Sequence, residues 1–415
     1  MRQGRRAATR YHRLNNIRDL GVQIMTETLP QAARIVIIGG GVVGCSTAYH
    51  LALEGECDVV LLERSKLTCG TTWHSAAMVR QLRSTSSLTR LAQYSAELYT
   101  SLEQQTGLGT GWIGCGSLSI ATNVDRLHHI RRQASLARAF GIPVEEIGAD
   151  EIRRLWPIAE TGDVIAGILS PSDGRVSASD LCASLIRGAC NKGVRVFEDT
   201  PVSGFRIENG RIAGVQTPAG SIACEAVVLC GGLWSRELAA LAGVSAPLYA
   251  CEHLALITKP FEGIYPGMPI LGDHDGGMYI RDEGGGLMVG CFEPNARPVD
   301  MQDLPKDFSF DLLGENWDQF EPVMGGAIQR IPALESAQVR MLLNGPESFT
   351  QDNAFLLGEA PELGGFFMCC GMNSVGVASS GGAGKALAQW VLAGEATMDL
   401  TSVDVRRFAR VRNSL

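Results

Sequence analysis

The chain has 415 residues, of which 45% are hydrophobic and 19% charged, and its formal net charge at pH 7 is -8. This length and apolar content predict a globular protein with a large core, in one domain or two interleaved ones. The negative net charge argues against a nucleic-acid partner, and no apolar run reaches the roughly 18 residues of a membrane span.

The first 33 residues carry six arginines and two acidic residues and lack the apolar core of a secretory signal. Two interpretations stay open. The segment is a mitochondrial transit peptide, or it is an over-extended reading frame or disordered tail before a natural start at Met25. We favour the second, set residues 1–32 apart as a leader, and expect a cytoplasmic protein, with the mitochondrial matrix as the alternative.

Residues 33–65 read ARIVIIGGGVVGCSTAYHLALEGECDVVLLERS, which predicts a strand, a glycine turn, a helix and a second strand. The first strand is expected over Arg34 to Ile38, the helix over Cys45 to Leu53 and the second strand over Val59 to Leu62. Short β-branched runs of this kind are typical of buried parallel strands.

The turn between strand and helix satisfies G-x-G-x-x-G with Gly39, Gly41 and Gly44. These glycines permit a tight turn, close approach to a pyrophosphate and close packing of helix on strand, while the helix N-terminus attracts the phosphates. Glu63 ends the second strand, where a carboxylate accepts ribose hydroxyls. The motif predicts a dinucleotide site for FAD or NAD and does not choose between them.

Residues 68–77 read TCGTTWHSAA and place one histidine, His74, among small residues and a tryptophan. The residues alone leave three interpretations open: a helix cap, a hydrogen-bonded core imidazole, or a reactive group that a bulky ligand can approach. Arg80 and Arg83 follow shortly after and are candidates for a substrate carboxylate, although such arginines are more often solvated surface charges.

Two later segments favour the larger cofactor, FAD. Residues 202–235 read as short strands with turns at Asn209-Gly210 and at residues 218–220, which is a β-meander and not another helix crossover. Residues 365–390 read as a strand, a glycine-rich turn and a helix starting around Gly382, and that helix N-terminus would hold a second polar group of the cofactor.

Two strands of the middle region carry polar residues of interest. His253 begins an alternating strand and Tyr279 lies in another, so both fit ordinary sheet positions as well as a site. Arg281 shares a face with Tyr279 and is a further candidate for a substrate carboxylate.

The twelve cysteines are scattered without C-x-x-C spacing. This pattern indicates neither a zinc site nor a redox pair, and most of these residues read as small hydrophobes in a reducing compartment. No metal is expected.

Several phrases together resemble the sarcosine and dimethylglycine dehydrogenase family, FAD-dependent amine oxidoreductases of the glycine oxidase and D-amino acid oxidase fold. The phrases are GTTWHSA, LEQQTGLGTGW, SPSDGRVSASDL, NGPESFTQD, LLGEAPEL and CGMNSVGVASSGGAGKALAQWVLAGE. The resemblance runs from about Arg34 to Phe408 and is nearest to the flavin domain of sarcosine dehydrogenases. It extends to the regulatory subunit of pyruvate dehydrogenase phosphatase, a non-catalytic relative, so a regulator is the alternative of another class.

The resemblance implies an α/β fold, with a Rossmann-like FAD-binding domain interleaved with a mixed-sheet, α+β substrate domain. The FAD domain is expected from 33–110, 170–240 and 345–400, the substrate domain from 111–169 and 241–344, and a tail over 401–415. Large family members continue into a folate-binding domain, which we do not expect in this sequence. Three explanations stay open: a stand-alone flavin module, a separate partner protein, or a truncated gene.

The resemblance also implies roles for individual residues. His74 corresponds to the histidine bonded covalently to the flavin, and His253 and Tyr279 to active-site residues that orient the amine and accept its proton. The cofactor-binding residues implied by the motifs together are Gly39, Gly41, Val42, Val43, Gly44, Glu63, Arg64, Thr71, Thr72, Trp73, His74, Met78, Val202, Gly231, Asn373, Ser374, Val375 and Gly376. Arg281 and Arg83 are the candidates for a substrate carboxylate.

The implied reaction is oxidative N-demethylation of sarcosine or a related N-methyl amino acid, with dimethylglycine or 4-methylaminobutanoate as alternatives. The implied electron acceptor is an electron-transfer flavoprotein or oxygen. A separate folate-binding protein is a possible partner for the one-carbon product.

Overall fold

The computed structural model describes residues 28–408. Within that range the eight α-helices are α1 Val42–Leu53, α2 Ser86–Thr106, α3 Val124–Ala139, α4 Ala149–Leu155, α5 Ala178–Cys190, α6 Ser235–Leu241, α7 Trp317–Arg330 and α8 Gly376–Ala393. The strands are β1 Ile35–Ile38, β2 Val59–Leu62, β3 Met78–Val79, β4 Ser117–Ala121, β5 Glu145–Ile147, β6 Ala166–Ser170, β7 Gly174–Arg175, β8 Arg195–Phe197, β9 Gly204–Glu208, β10 Arg211–Thr217, β11 Gly220–Ala223, β12 Ala226–Leu229, β13 Leu248–Thr258, β14 Ile270–Asp273, β15 Met278–Glu283, β16 Gly286–Cys291, β17 Pro298–Val299, β18 Val339–Thr350, β19 Leu356–Glu359 and β20 Phe366–Cys370.

A six-stranded sheet in the order β19-β20-β12-β1-β2-β8 forms the first half of the molecule. Its strands pair in parallel except for β19, which runs antiparallel to β20 at one edge. Ile35 and Ile37 point into one core with α1, α2, α5 and α8. Val36 and Ile38 point into a second core with α6 and the β9–β11 sheet. Burial on both faces explains why β1 and β2 are uninterrupted apolar runs.

The predicted β-meander is confirmed as the antiparallel sheet β11-β10-β9, with its first turn at Asn209-Gly210. Both turn residues have positive φ, 52° for Asn209 and 72° for Gly210. Positive φ at both central positions is the requirement of the tight turns that join twisted strands, and an Asn-Gly pair meets it.

The predicted start of the C-terminal helix near Gly382 is wrong, because α8 begins at Gly376. The glycines there serve packing and not a turn. A Cβ on Gly382 would come 2.3 Å from the Leu91 carbonyl oxygen, and one on Gly384 would come 2.4 Å from the Ser46 Oγ. Glycine therefore lets α8 press closely against α1 and α2 while remaining helical.

A nine-stranded mixed sheet forms the second half, in the order β17-β13-β16-β15-β14-β4-β6-β5, with β18 also paired to β13. Side chains alternate between its two faces. Leu254, Leu256 and Ile280 point into a core with α4 and α7. The opposite face carries Ala255 and Leu343, which pack with Ala76 from the first half.

Two expectations about the ends of the chain fall partly outside the described residues. The leader expected over 1–32 is described only from residue 28, and Ala32 there forms a bridge with Ala223. The tail expected over 401–415 is described to residue 408, and Asp404 forms a bridge with Leu357. The domain boundaries stay predictions, although the two large sheets draw their strands from separate sets of segments.

Candidate active site

A cavity with a volume of about 360 Å³ lies beyond the carboxyl ends of β1, β2 and β12. Ligands of open α/β sheets bind at this edge. Twelve residues of the predicted cofactor set line the cavity: Gly39, Gly41, Val42, Val43, Glu63, Arg64, Thr71, Thr72, Val202, Gly231, Ser374 and Gly376. Sequence segments far apart along the chain therefore meet around one space.

The glycine loop is built tightly against its neighbours. Gly39 has a φ of 110°, and a Cβ there would come 2.4 Å from the Cys230 carbonyl oxygen. Gly44 does not line the cavity, and a Cβ on it would come 2.0 Å from the Gly39 carbonyl oxygen. Gly41 caps α1 without a side chain, so the positive end of the helix faces the cavity.

Glu63 lies at the wall of the cavity and is 7% exposed. Its carboxylate accepts hydrogen bonds from the Gly40 N–H at 2.8 Å and from the Ser65 N–H at 2.9 Å. Burial raises the pKa of Glu63, and these two backbone donors oppose the rise. The side chain is thus held rigidly by the glycine loop that it faces.

Arg64, next in the chain, stacks over the Trp234 ring with its guanidinium carbon 4.0 Å from the ring centroid. Its guanidinium also donates to the carbonyl oxygens of Lys306 and Phe308. Trp234 lines the cavity with Leu238 and Leu241, an apolar wall that the sequence patterns did not indicate.

The start of α8 forms the opposite end of the cavity, where Ser374 and Gly376 line it. Asn373 and Val375, from the same predicted set, do not line it. The Asn373 side chain instead accepts from the Thr350 N–H at 2.9 Å and donates to the Gly371 carbonyl at 2.6 Å. Asn373 and Ser374 have φ of 47° and 60°, so these two hydrogen bonds stabilise a left-handed turn at the start of the helix.

His74 lies between the two halves of the molecule, and Thr72 and Ser75 on either side of it line the cavity. Its ring rests on the backbone of Gly345 in β18, where a Cβ would come 2.3 Å from the ring Cε1. Trp73 meets the ring edge-on at 5.5 Å between centroids. Burial, followed by the nearby His253, lowers the pKa of His74 to about 4, so the imidazole is neutral at neutral pH.

The inner face of the nine-stranded sheet brings the predicted catalytic residues together. His253 lies opposite Gly345 in β18, and Ala255, two residues on, lies in the row of Gly290 and Tyr279. The Tyr279 ring covers Gly290, whose Cβ would come 2.1 Å from the ring Cζ. Burial raises the pKa of Tyr279 above its usual range, so it remains a phenol.

An aromatic side chain that the sequence did not indicate sits between these two residues. Phe292 follows β16 and lies 5.6 Å from the His253 ring and 6.2 Å from the Tyr279 ring, measured between centroids. It is 59% exposed, so it borders the solvent side of the site.

Two carboxylates flank His253, and sequence reasoning missed both. Its Nδ1 lies 3.0 Å from a Glu293 oxygen, and its Nε2 lies 4.0 Å from a Glu347 oxygen. Burial alone would lower the pKa of His253, but the hydrogen bond to Glu293 and the charge of Glu347 more than offset it, so the pKa is raised. The pKa of Glu293 is lowered, because the histidine and the backbone outweigh its burial.

Glu347 also joins this polar group to the large cavity, which it lines. Its two oxygens accept from the Ser374 N–H at 2.9 Å and from the Ser374 Oγ at 2.5 Å. The only sequence signal was a charged residue in the apolar segment MLLNGPESFT. A single glutamate in a strand pattern does not indicate that its side chain will contact Ser374 at the start of α8.

The candidate arginines lie apart from one another. Arg281 shares the face of Tyr279, and its Nη1 donates to the Glu283 carboxylate at 2.6 Å. Arg80 and Arg83 line a second cavity of about 160 Å³, under α3, which shares no lining residue with the first. Arg80 is bonded to Ser119 in β4. Since β4 is two strands from β15, this contact lies roughly 10 Å along the sheet from Tyr279.

Met78 is part of the short strand β3 and pairs with Arg175. Among the described residues no cluster of His, Cys, Asp and Glu side chains has the arrangement of a metal site. None of the helices in the described part of the chain combines the length and hydropathy that a bilayer span requires.

Comparison with known proteins points to one family. The family model described as DAO, FAD dependent oxidoreductase, matches residues 34–390. The chain is 40% identical to a mitochondrial sarcosine dehydrogenase of Mus musculus over 92% of its length and 42% of that protein. It is 38% identical to a 4-methylaminobutanoate oxidase (formaldehyde-forming) of Paenarthrobacter nicotinovorans over 96% of its length and 48% of that protein.

The chain thus spans less than half the length of both relatives. Among solved structures, an L-proline dehydrogenase from P. horikoshii superposes with a TM-score of 0.82 at 25% identity, over 92% of this chain and 98% of that one. These matches confirm the predicted fold class and the family resemblance.

Proposed function

The chain belongs to the DAO family of FAD dependent oxidoreductases, and on that premise we propose that it catalyses oxidative N-demethylation of an N-methyl amino acid. The products would be formaldehyde and the demethylated amine. Sarcosine is the first candidate substrate, and dimethylglycine and 4-methylaminobutanoate are alternatives. The observation that carries the proposal is the approach of His253 and Glu347, which links the polar residues on the face of the nine-stranded sheet to the cavity lined by the glycine loop.

The cavity residues fit an FAD. The glycine loop would hold the pyrophosphate, because Gly39 and Gly41 keep side chains out of the approach and α1 presents its positive end. Glu63 would accept the ribose hydroxyls. The start of α8, at Ser374 and Gly376, would face polar atoms of the flavin ring system. When bound, FAD supplies the acceptor for the hydride of the N-methyl carbon.

We propose that His74 forms a covalent bond to the flavin. Its neutral imidazole is a competent nucleophile, since the ring nitrogen lone pair is free of a proton at neutral pH. Its neighbours Thr72 and Ser75 line the cavity, and Gly345 leaves room for the ring.

On the substrate side, His253 and Tyr279 would position the amine from the sheet face. The Tyr279 hydroxyl is a hydrogen-bond donor throughout the neutral range, because its pKa is raised. Phe292 would limit the entry of water at the exposed side. Arg281 stays the nearer candidate for a substrate carboxylate, because Arg83 lies in the separate cavity.

Further parts of the proposal concern other molecules. Electrons would pass from the flavin to an electron-transfer flavoprotein or to oxygen, and a separate folate-binding protein would take up the one-carbon product. The proposed compartment is the cytoplasm. The mitochondrial matrix is the alternative, supported by the mitochondrial sarcosine dehydrogenase among the relatives.

The test is a visible spectrum of the purified protein before and after acid precipitation, followed by anaerobic addition of sarcosine, dimethylglycine and 4-methylaminobutanoate to native samples. Yellow colour that stays in the pellet supports the His74 linkage, and bleaching identifies the substrate. Colour released by acid refutes the linkage but leaves a flavoenzyme. A protein that binds no flavin after reconstitution refutes the enzyme and favours the regulatory alternative.

A further inference from the structure

The proposed reaction requires a proton acceptor. Aliphatic amines carry a proton at neutral pH, with pKa values of roughly 8 to 10. The nitrogen lone pair must be free before the adjacent methyl carbon can release a hydride, because that lone pair forms the new C=N bond. Some group of the site therefore has to remove a proton from the bound ammonium.

Three residues that face the site are poor acceptors. The Nδ1 of His253 already pairs with Glu293 at 3.0 Å and its Nε2 faces Glu347 at 4.0 Å, and these two carboxylates raise its pKa and favour its charged form, which has no lone pair for a further proton. Tyr279 is a phenol and can only receive a proton after losing one, which its burial opposes. His74 is a very weak base in its buried position, and its lone pair is the one proposed to bond the flavin.

Two carboxylates, Glu293 and Glu347, remain as candidate proton acceptors. They differ in how many of their oxygen lone pairs already accept hydrogen bonds. Glu293 is 5% exposed in its side chain and is occupied by the Leu254 N–H at 2.6 Å and by His253 at 3.0 Å. The Glu347 side chain is 12% exposed and lines the large cavity, and its oxygens accept hydrogen bonds from the N–H and the hydroxyl of Ser374. A carboxylate offers about four lone-pair sites, so Glu347 keeps some for a substrate.

We propose that Glu347 is the catalytic base that receives the proton of the substrate's ammonium group. The inference rests on the proposed function. In this step the N–H bond breaks, its electron pair stays on nitrogen, and an O–H bond forms on the Glu347 carboxylate. The released lone pair then supports hydride loss from the N-methyl carbon to the oxidised flavin of the proposed reaction.

Ser374, His253 and the start of α8 surround the Glu347 carboxylate. The Ser374 hydroxyl donates to the carboxylate at 2.5 Å, and a hydroxyl can turn to accept from the protonated acid. The Nε2 of His253 lies 4.0 Å from a Glu347 oxygen, and the raised pKa of His253 favours the cationic form that attracts this carboxylate. The positive end of α8 adds to that attraction. Ser374 and His253 lie next to Glu347, Tyr279 faces the charges of Glu347 and Glu293, and His74 packs on Gly345, two residues before Glu347 in β18.

The decisive variant is Glu347→Gln, which keeps the shape of the side chain and one oxygen for the Ser374 N–H. The matched control is Glu321→Gln, an exposed position on α7 that changes the net charge by the same amount. Anaerobic stopped-flow mixing with substrate measures the rate of flavin bleaching between pH 6 and pH 10. A positioned general base contributes about 10²- to 10⁴-fold, so we expect at least about a 10²-fold loss at pH 7 in E347Q.

The loss of bleaching rate in E347Q should shrink as the pH approaches the pKa of the substrate amine, because the solution then supplies neutral substrate. E321Q should follow the wild type throughout. A wild-type profile for E347Q, or an equal loss at every pH, would overturn the assignment, because a structural defect does not depend on the protonation of the substrate.

A binding measurement separates this inference from the proposed function. Trimethylglycine carries a permanent positive charge and has no N–H proton, so it binds without reacting. If Glu347 faces the ammonium, the affinity of the protein for trimethylglycine should fall about tenfold or more in E347Q, because the attraction between the carboxylate and the quaternary ammonium is lost. An unchanged affinity refutes the inference. If no N-methyl amino acid bleaches the wild type, the proposed function fails and the base assignment fails with it. If the wild type is bleached but trimethylglycine binds equally well to the wild type and to E347Q, only the base assignment fails.

Discussion

Replacement of Gly345 by alanine would test the placement of His74 without changing the histidine itself. The new Cβ would come 2.3 Å from the His74 Cε1 and 2.5 Å from its Nδ1. The φ of Gly345 lies outside the left-handed region, so alanine fits the backbone and only the ring is in conflict. Carbon atoms in contact are about 3.5 Å apart, so the ring must recede by about 1 Å.

A displacement of about 1 Å at a reacting group costs on the order of 10²-fold in rate. We therefore expect covalent flavin attachment to become about 10²-fold slower in Gly345→Ala. The overpacked site should also destabilise the fold by about 1–3 kcal/mol. The attachment is measured as flavin fluorescence that stays with the denatured chain on a gel, followed over time after FAD is added to apoprotein.

Two companion variants make the result interpretable. Gly325→Ala, on α7, meets nothing within 4 Å, so it should attach flavin normally and gain about 0.4–1 kcal/mol. In a His74→Ala background the stability cost of Gly345→Ala should disappear, because the clashing ring is gone. Normal attachment in Gly345→Ala, or an unchanged cost in the double variant, would refute the described contact.

Three further predictions concern other parts of the molecule. Gly44→Ala places a Cβ 2.0 Å from the Gly39 carbonyl oxygen, so we expect a loss of about 1–3 kcal/mol and of bound flavin, measured by urea unfolding and the flavin-to-protein ratio. Normal flavin content would contradict it. Arg330→Met removes the partner of buried Asp273, 2.9 Å away, and should cost about 3–5 kcal/mol in urea unfolding, whereas the exposed Arg153→Met should cost little. The raised pKa of His253 means that its native contacts stabilise the fold fully below about pH 6.5 and lose this contribution as pH rises through the elevated native value. The difference in unfolding free energy between the wild type and His253→Asn should therefore shrink from pH 6 to pH 9, and a constant difference would refute the charged form.

Local patterns predicted much of the cofactor-binding half. The strand Val59–Leu62 could be predicted because a parallel strand buried on both faces needs a continuous apolar run. The glycine loop could be predicted because a phosphate-binding turn needs glycine. The same reasoning failed at Gly382. A glycine-rich segment has two physical uses, a turn or a close helix contact, and only the packing partners Leu91 and Ser46 show which one applies.

For the candidate site, too, the sequence predicted some features and the tertiary structure decided the others. The sequence by itself determined the composition of the loops, the strand on which each polar residue lies and, through family resemblance, the interest of His74, His253 and Tyr279. Tertiary structure decided which groups meet. Glu347 reaches His253 because β18 pairs with β13, and it reaches Ser374 because α8 starts beside that strand. Arg83 instead lines the separate cavity under α3. Sheet register and helix placement follow from the burial of whole faces, a property of many distant residues together, so no local pattern contains them.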